Sequence, residues 1–123
     1  MVSDKDVRSM PKNDVRFFSK KAKASGIRFS FVRDGQEIAR ARLYVLKNDL
    51  HKEPFGFMED VYVDESARNE GWGKKIVQSV IDRAKKEGCY KLVATSRSER
   101  GSVHTLYEKL NFQEKGKEFR IDF

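Results

Sequence analysis

Two glycines one residue apart, Gly71 and Gly73, lie in the run Arg68-Asn69-Glu70-Gly71-Trp72-Gly73-Lys74, just ahead of a strongly amphipathic stretch. Glycine accepts positive φ and lets another backbone or a ligand approach closely. At a helix start the first backbone N–H groups lack intrahelical partners and the helix dipole adds positive potential, so such a loop suits a phosphate or pyrophosphate. Lys74 and Lys75 add charge in the same turn, while Glu70, expected to point to solvent, subtracts from it. No Gly-Lys-Ser/Thr follows, and the three-glycine dinucleotide fingerprint is absent. Glycine in a strand-to-helix turn also serves purely steric ends, so the loop alone leaves an anion site and a packed turn both open.

Upstream, Phe57 to Val63 alternates as a strand, with Phe57, Glu59, Val61 and Val63 expected on one face. A carboxylate among apolar neighbours is a better proton acceptor near neutral pH, which makes Glu59 a candidate general base. The other reading is an exposed glutamate at a sheet edge. Cys89, after Gly88, reads as a small packed residue rather than a nucleophile.

The elements that position these residues follow from periodicity. Residues 1–13 read as a flexible arm. Asp14 is placed to cap a short helix with Val15, Phe18 and Ala22 on its apolar side, ended by Gly26. Ile27, Phe29 and Phe31 alternate with Arg28 and Ser30 as a half-buried strand, and Asp34-Gly35 is a hairpin signal. The return strand, about 37–46, puts Ala39, Ala41, Leu43 and Val45 on one face and Arg40 and Arg42 on the other. Ile76, Val77, Val80, Ile81 and Ala84 form one helical stripe, closed by Gly88. Leu92 to Thr95 reads as a short buried strand. A helix capped by Ser102 carries Val103, Leu106, Tyr107 and Leu110, and Phe112, Phe119, Ile121 and Phe123 suggest final strands. The order predicts a mixed α/β (α+β) fold with a mostly antiparallel central sheet and flanking helices.

A chain of 123 residues accommodates one domain with one modest core. No apolar run approaches the roughly 20 residues a membrane helix needs. The single cysteine excludes an internal disulfide framework and a cysteine-rich metal site, and fits a reducing, cytoplasmic setting. The net charge of +7 is uneven: 12 Lys and Arg face 6 Asp and Glu in residues 1–50, but 14 face 13 in residues 51–123. That excess suits nucleic acid, an acidic protein, cofactor phosphates or simply a solvated surface.

The run Glu59-Asp60-Val61-Tyr62-Val63-Asp64, then Arg68-x-x-Gly71-x-Gly73, resembles the acetyl-CoA motif Arg/Gln-x-x-Gly-x-Gly/Ala of the GNAT superfamily of N-acetyltransferases. Leu106-Tyr107-Glu108-Lys109-Leu110-Asn111-Phe112 resembles that family's second element, Phe-Tyr-x-Lys-x-Gly-Phe. Together they cover about half the chain. The resemblance implies a single GNAT-like domain over residues 1–123 that moves an acetyl group from acetyl-CoA to a primary amine by direct attack. It implies that the backbone of Val61, Tyr62 and Val63 pairs with the pantetheine arm, between strands that splay apart. The amides from Asn69 through Glu70, Gly71, Trp72 and Gly73 to Lys74, behind Arg68, hold the pyrophosphate. Tyr107 matches the tyrosine placed near the cofactor sulfur, as an acid for the leaving thiolate; without the resemblance it reads as a core tyrosine. Glu59-Asp60-x-aromatic-Val also resembles the polyamine-acetylating branch, in which this glutamate is the base. Arg100 stands where the family often has asparagine, and can reach a phosphate or an acidic acceptor.

Two departures stand out. Asn111 replaces the usual glycine before Phe112, and asparagine tolerates the left-handed conformation that turn needs. About 26 residues precede Ile27, fewer than the family's first strand and two helices require. This shortened N-terminal part predicts an open acceptor side, suited to a protein amine or a flexible small amine, or one completed by a second subunit in a homodimer. The competing readings are a non-catalytic acyl-CoA-binding module and, less favoured, a basic nucleic-acid binder using Lys20, Lys21, Lys23, Arg28, Arg40 and Arg42. Phe29 and Phe31 are expected to face the core rather than stack on bases.

Overall fold

Asp34 and Gly35 both take positive φ, 52° and 75°, the turn whose twist suits a two-residue hairpin. In the computed structural model, which describes residue 8 and residues 11–96 and 101–123, this turn joins β1 (Ala24–Arg33) to β2 (Gln36–Leu46). β3 (Phe55–Val63) pairs antiparallel with β2, and β4 (Leu92–Ala94) pairs parallel with β3. The sheet order is β1-β2-β3-β4. Helix α1 (Trp72–Lys86) makes the crossover from β3 to β4, and α2 (Gly101–Lys109) follows β4. This is the mixed, mostly antiparallel α+β architecture expected from the sequence.

The alternation of β2 sets the core. Ala39, Ala41 and Leu43 are buried on one face together with Met58 of β3 and Ile76, Val77, Val80 and Ala84 of α1. Two alanines at the centre of β2 let the bulkier helix residues settle close to the sheet. Leu43, Met58, Ile76, Val77 and Val80 are fully enclosed, each contributing about 1.5–3 kcal/mol of burial. Ile27, Phe29 and Phe31 pack against the same cluster, so the β1 aromatics face the core as expected.

Both helices end in the same way. Gly88, at φ 81°, follows α1, with Cys89 N–H donating to Ala84 O and Gly88 N–H to Lys85 O, each at 3.0 Å. Asn111, at φ 70°, follows α2, with Phe112 N–H donating to Tyr107 O at 2.9 Å and Asn111 N–H to Glu108 O at 3.0 Å. These are paired 6→1 and 5→2 bonds, and the Tyr107 and Phe112 rings, 5.1 Å apart, supply the apolar contact that accompanies them. Asparagine thus fills the glycine position of the motif without loss of the turn.

Where β3 meets β4, Gly56 leaves room for its neighbours. A methyl group there would sit 3.0 Å from Leu43 Cδ1 and from Leu92 Cδ1, and Leu43 is fully buried. Gly56→Val is therefore expected to lower stability by about 1–3 kcal/mol through overpacking, read as a reduced urea midpoint at unchanged slope.

Two expected elements are not formed. Residues 14–22 make no helix. Asp14 pairs with Arg16 Nε at 2.6 Å instead of capping backbone amides, and Val15 and Phe17 are each 92% exposed. A helix of this length needs a packed face, because nucleation is unfavourable and few bonds reward it. Gly26 lies within β1 instead of ending a helix. Residues 112–123 likewise form no strand. Phe119, Ile121 and Phe123 alternate as a strand would but are exposed, since alternation without a partner leaves backbone groups unpaired by any ladder. Most of the arm proposed for residues 1–13 lies outside the described residues.

Candidate active site: a strand fork beside a helix N-terminus

The β3–β4 ladder covers only Gly56, Phe57 and Met58, opposite Leu92, Val93 and Ala94. From Glu59 to Val63, β3 has no ladder partner on its β4 side among the described residues, while its other side stays paired to β2. An exposed row of N–H and C=O groups on one strand edge can hydrogen-bond an extended chain.

A bulge falls at the same place. Asp60 takes φ 56°, and the β2–β3 register shifts between Arg40 and Arg42, from Arg40 opposite Tyr62 to Arg42 opposite Glu59. An extra residue in one strand flips the alternation. Phe57 and Glu59 therefore share the outer face with Tyr44 and Arg42, and Val61 and Val63 pack against the core. This corrects the sequence expectation of one face for Phe57, Glu59, Val61 and Val63. Glu59 is exposed and lies across from Arg42 instead of among apolar side chains. The signal was present: aspartate is a poor strand residue but tolerates left-handed φ, so Asp60 inside an apolar-aromatic run marks a bulge.

Asp60 anchors the outer face. Arg40 donates to it through Nε at 3.0 Å and a terminal nitrogen at 3.2 Å, and Arg42 Nε lies 3.5 Å away. The Arg40 hydrogen bonds hold the Asp60 carboxyl below its ordinary 3.8, against the opposing effect of burial. A carboxyl held low in the folded state stabilises the fold above its ordinary value, and that contribution disappears as the pH falls through the folded value. Asp60→Asn should thus be less stable than the parent at pH 7, the gap closing as the pH drops below 3.8. Thermal unfolding across that range checks it. Arg40 also lies 4.5 Å above the Tyr62 ring.

The glycine loop lies directly after β3. Asp64 accepts from the Ser66 N–H and hydroxyl, starting a 3-10 turn at Glu65–Ala67. Arg68 Nε donates to Val63 O at 3.2 Å, tying the loop to the end of β3. Asn69 and Gly71 both take positive φ, 66° and 86°, and Gly71 is the N-cap of α1 with no side chain to cap the helix amides. A methyl group on Gly71 would meet nothing within 4 Å, so glycine is required there by backbone conformation, and the space in front of it is open. The first turn of α1, from Trp72 to Lys74, follows Gly71 without a side-chain cap, a fit for an anion. Gly73 contributes differently: a methyl there would contact Leu106 Cδ2 at 3.5 Å and Val63 Cγ2 at 3.7 Å, so α2 and β3 close around it.

Glu70 does not simply point to solvent. Arg33 of β1 donates to both of its oxygens, at 3.0 and 3.3 Å, and holds its carboxyl below the ordinary range. The pair removes much of the negative charge that would otherwise oppose an anion in the loop. Trp72 packs on Phe31, with ring centroids 5.1 Å apart, and carries Lys75 Nζ 4.5 Å from its own centroid. Its enclosed Nε1 makes no well-formed hydrogen bond, though it lies near enough to Glu70 to help keep that carboxyl low. Tyr107, on α2 next to Leu106, is half-buried against the core and Phe112. Lys74 is exposed in the first turn of α1. Arg100 lies outside the described residues. Cys89 packs against the core, where burial pushes its thiol up, away from nucleophile behaviour.

Comparison with known proteins identifies the class. The model of the Acetyltransferase (GNAT) family matches residues 3–112, and the chain belongs to this family. Over 68 residues it is 38% identical to a rice (Oryza sativa subsp. japonica) protein named probable glucosamine 6-phosphate N-acetyltransferase 2, covering 55% of this chain and 39% of that protein. Over 84 residues it is 30% identical to the aminoglycoside N(6')-acetyltransferase type 1 of Serratia marcescens, covering 66% of this chain and 58% of the other. The chain thus spans roughly half the length of these relatives. Among solved structures, the glucosamine-6-phosphate N-acetyltransferase of Arabidopsis thaliana superposes with a TM-score of 0.73 at 27% identity, over 80% of this chain and 67% of that one.

Proposed function

We propose that this chain transfers an acetyl group from acetyl-CoA to a primary amine by direct attack. The observation that carries the reading is the juxtaposition of two open backbone sites: the β4-side edge of β3 from Glu59 to Val63, which has no ladder partner among the described residues, and the uncapped α1 N-terminus behind Gly71. A pyrophosphate at the helix N-terminus and an extended amide-bearing arm along the strand edge match the two chemistries of coenzyme A. Val61, Tyr62 and Val63 offer the edge. The loop Arg68 to Lys74 offers the amides, with Arg68 holding the loop against Val63.

Acetyl-CoA supplies the activated thioester. Glu59, on the outer face where the fork opens, takes a proton from the acceptor ammonium directly or through a water. The amine nitrogen then bonds to the carbonyl carbon as the carbon–sulfur bond breaks, and backbone N–H groups of the open β3 edge stabilise the charge that develops on the carbonyl oxygen. Tyr107 protonates the departing thiolate, and the surplus proton that the new amide nitrogen sheds restores the phenol. A thiol ordinarily titrates near ~8.5 and leaves readily as the anion, so Tyr107→Phe should lower kcat less than the roughly 10²-fold lower bound usual for acid–base catalysis.

The nucleic-acid reading loses ground, since Arg28 is held by Glu37 at 2.6 and 2.8 Å and Arg40 by Asp60. Thiol release from acetyl-CoA in the presence of a panel of amines, with product mass measured, tests the proposal. An amine-dependent signal supports transfer. Tight acetyl-CoA binding with no transfer to any amine would leave a non-catalytic acyl-CoA-binding module.

A further inference from the structure

Across the outer face of the sheet, three side chains stand in one row. Arg28 of β1 is in register with Arg42 of β2, and Arg42 with Glu59 of β3. Neighbouring strands are ~4.8 Å apart, so the row runs about 10 Å from the carboxylate at the fork to the farther guanidinium. A groove of about 190 Å³ opens beside it, lined by Gly26, Ile27, Arg28, Arg42 and Tyr44. Tyr44 lies across from Gly26, where a methyl group would come within 3.2 Å of the ring. The missing side chain at Gly26 gives the groove its floor and Tyr44 an apolar wall. The volume is below the roughly 300–1,000 Å³ of sites for drug-sized ligands and suits a small polar molecule.

The two arginines are not equally engaged. Arg28 is committed to Glu37 and Ser30 by three hydrogen bonds of 2.6–2.8 Å. Arg42 reaches only a secondary position, 3.5 Å from the same Asp60 oxygen that Arg40 Nε already occupies at 3.0 Å. With five N–H donors and its side chain 44% exposed, Arg42 keeps most of its donor capacity for something else.

We infer that the acceptor is a small amine that also carries an anionic group, phosphate or carboxylate, about 5–10 Å from its nitrogen. This rests on the acetyltransferase reading and names its substrate class. The ammonium sits at Glu59, the carbon skeleton lies against Tyr44, and the anion is bound by Arg42, with Arg28 behind it. A polycationic acceptor would set a second ammonium against Arg42, the guanidinium that keeps free donors, where like charges repel.

The test compares kcat/KM for four amines at saturating acetyl-CoA: glucosamine 6-phosphate, glucosamine, 6-aminohexanoate and spermidine. The expected result is at least a tenfold preference for glucosamine 6-phosphate over glucosamine, carried by KM, since a charge-assisted hydrogen bond from a guanidinium to the anion strengthens binding of the phosphate-bearing amine alone. A comparable advantage for 6-aminohexanoate over spermidine shows that a carboxylate suffices; an advantage for the phosphate alone narrows the anion to phosphate. Arg42→Gln should reduce the phosphate preference to within about twofold, and Arg42→Lys, which keeps the charge but loses the fork, should restore part of it. A preference for spermidine, or a phosphate preference that Arg42→Gln leaves intact, overturns the inference while the acetyltransferase reading stands. If no amine is acetylated, calorimetry of glucosamine 6-phosphate against glucosamine on the acetyl-CoA-saturated chain decides it, and equal or absent binding overturns it. Failure of acetyl-CoA itself to bind counts against the acetyltransferase reading, and the same two sugars titrated into the free chain still decide the groove.

Discussion

Replacing Glu59 by glutamine should lower kcat for amine acetylation by roughly 10²–10⁴-fold, the span typical of a lost general base. Glutamine keeps the shape and the hydrogen-bonding capacity of the side chain but cannot take up the proton. The side chain is exposed on the outer face, outside the buried cluster formed by β2, β3 and α1, so the fold should survive and acetyl-CoA affinity should change little. Loss of rate with retained cofactor affinity is the signature of a group needed in the transition state only. The direct control is Arg42, which lies opposite Glu59: if Glu59 served only to balance that charge, Glu59→Gln would shift the thermal midpoint and leave kcat close to the parent value. An unchanged kcat would remove Glu59 from the chemistry and leave proton removal to solvent.

Gly71→Val is expected to weaken acetyl-CoA binding at least tenfold and to destabilise the fold as well. At φ 86° any residue with a Cβ carries a penalty of about 1–2 kcal/mol, more for a β-branched one. Relief of that strain must move the loop that aims the first α1 amides. The two effects separate by comparison with Gly88, which has φ 81°, closes the other end of α1 and also has open space around it. The 15 residues of α1 put about 22 Å between the two positions. Gly88→Val should share the loss in stability, seen as a lower thermal midpoint, and keep acetyl-CoA affinity. Equal losses of affinity in both variants would mean that the loop matters only for folding.

Much of this was legible in the sequence because it rests on short-range rules. The Asp34-Gly35 hairpin, the α1 stripe from Ile76 to Ala84 and the left-handed turn at Asn111 each follow from one residue's conformational range or from a single period. The parts that differ depend on partners outside the local window. The apolar spacing of Val15, Phe18 and Ala22 is real, but no packed surface among the described residues receives it. Phe119, Ile121 and Phe123 alternate with no strand to pair with among the described residues. The site itself was half legible. The glycine loop lies where its motif put it, next to the end of β3, but strict alternation placed Glu59 on the wrong face because one bulged residue, Asp60, inverts the strand on either side. The ion pairs Arg28 with Glu37, Arg33 with Glu70 and Arg40 with Asp60 join residues 9 to 37 positions apart, and only the folded sheet and the loop after β3 bring them together.

The proposed function requires that the fork and the loop together bind acetyl-CoA, and its direct test is calorimetric titration of the purified chain with acetyl-CoA at physiological salt. The expected result is one site per chain with a dissociation constant on the order of micromolar, about −8 kcal/mol, weakened in Gly71→Val and retained in Gly88→Val. A folded sample that gives no binding heat at several temperatures would contradict it, and the glycine loop would then be a packed turn with no ligand.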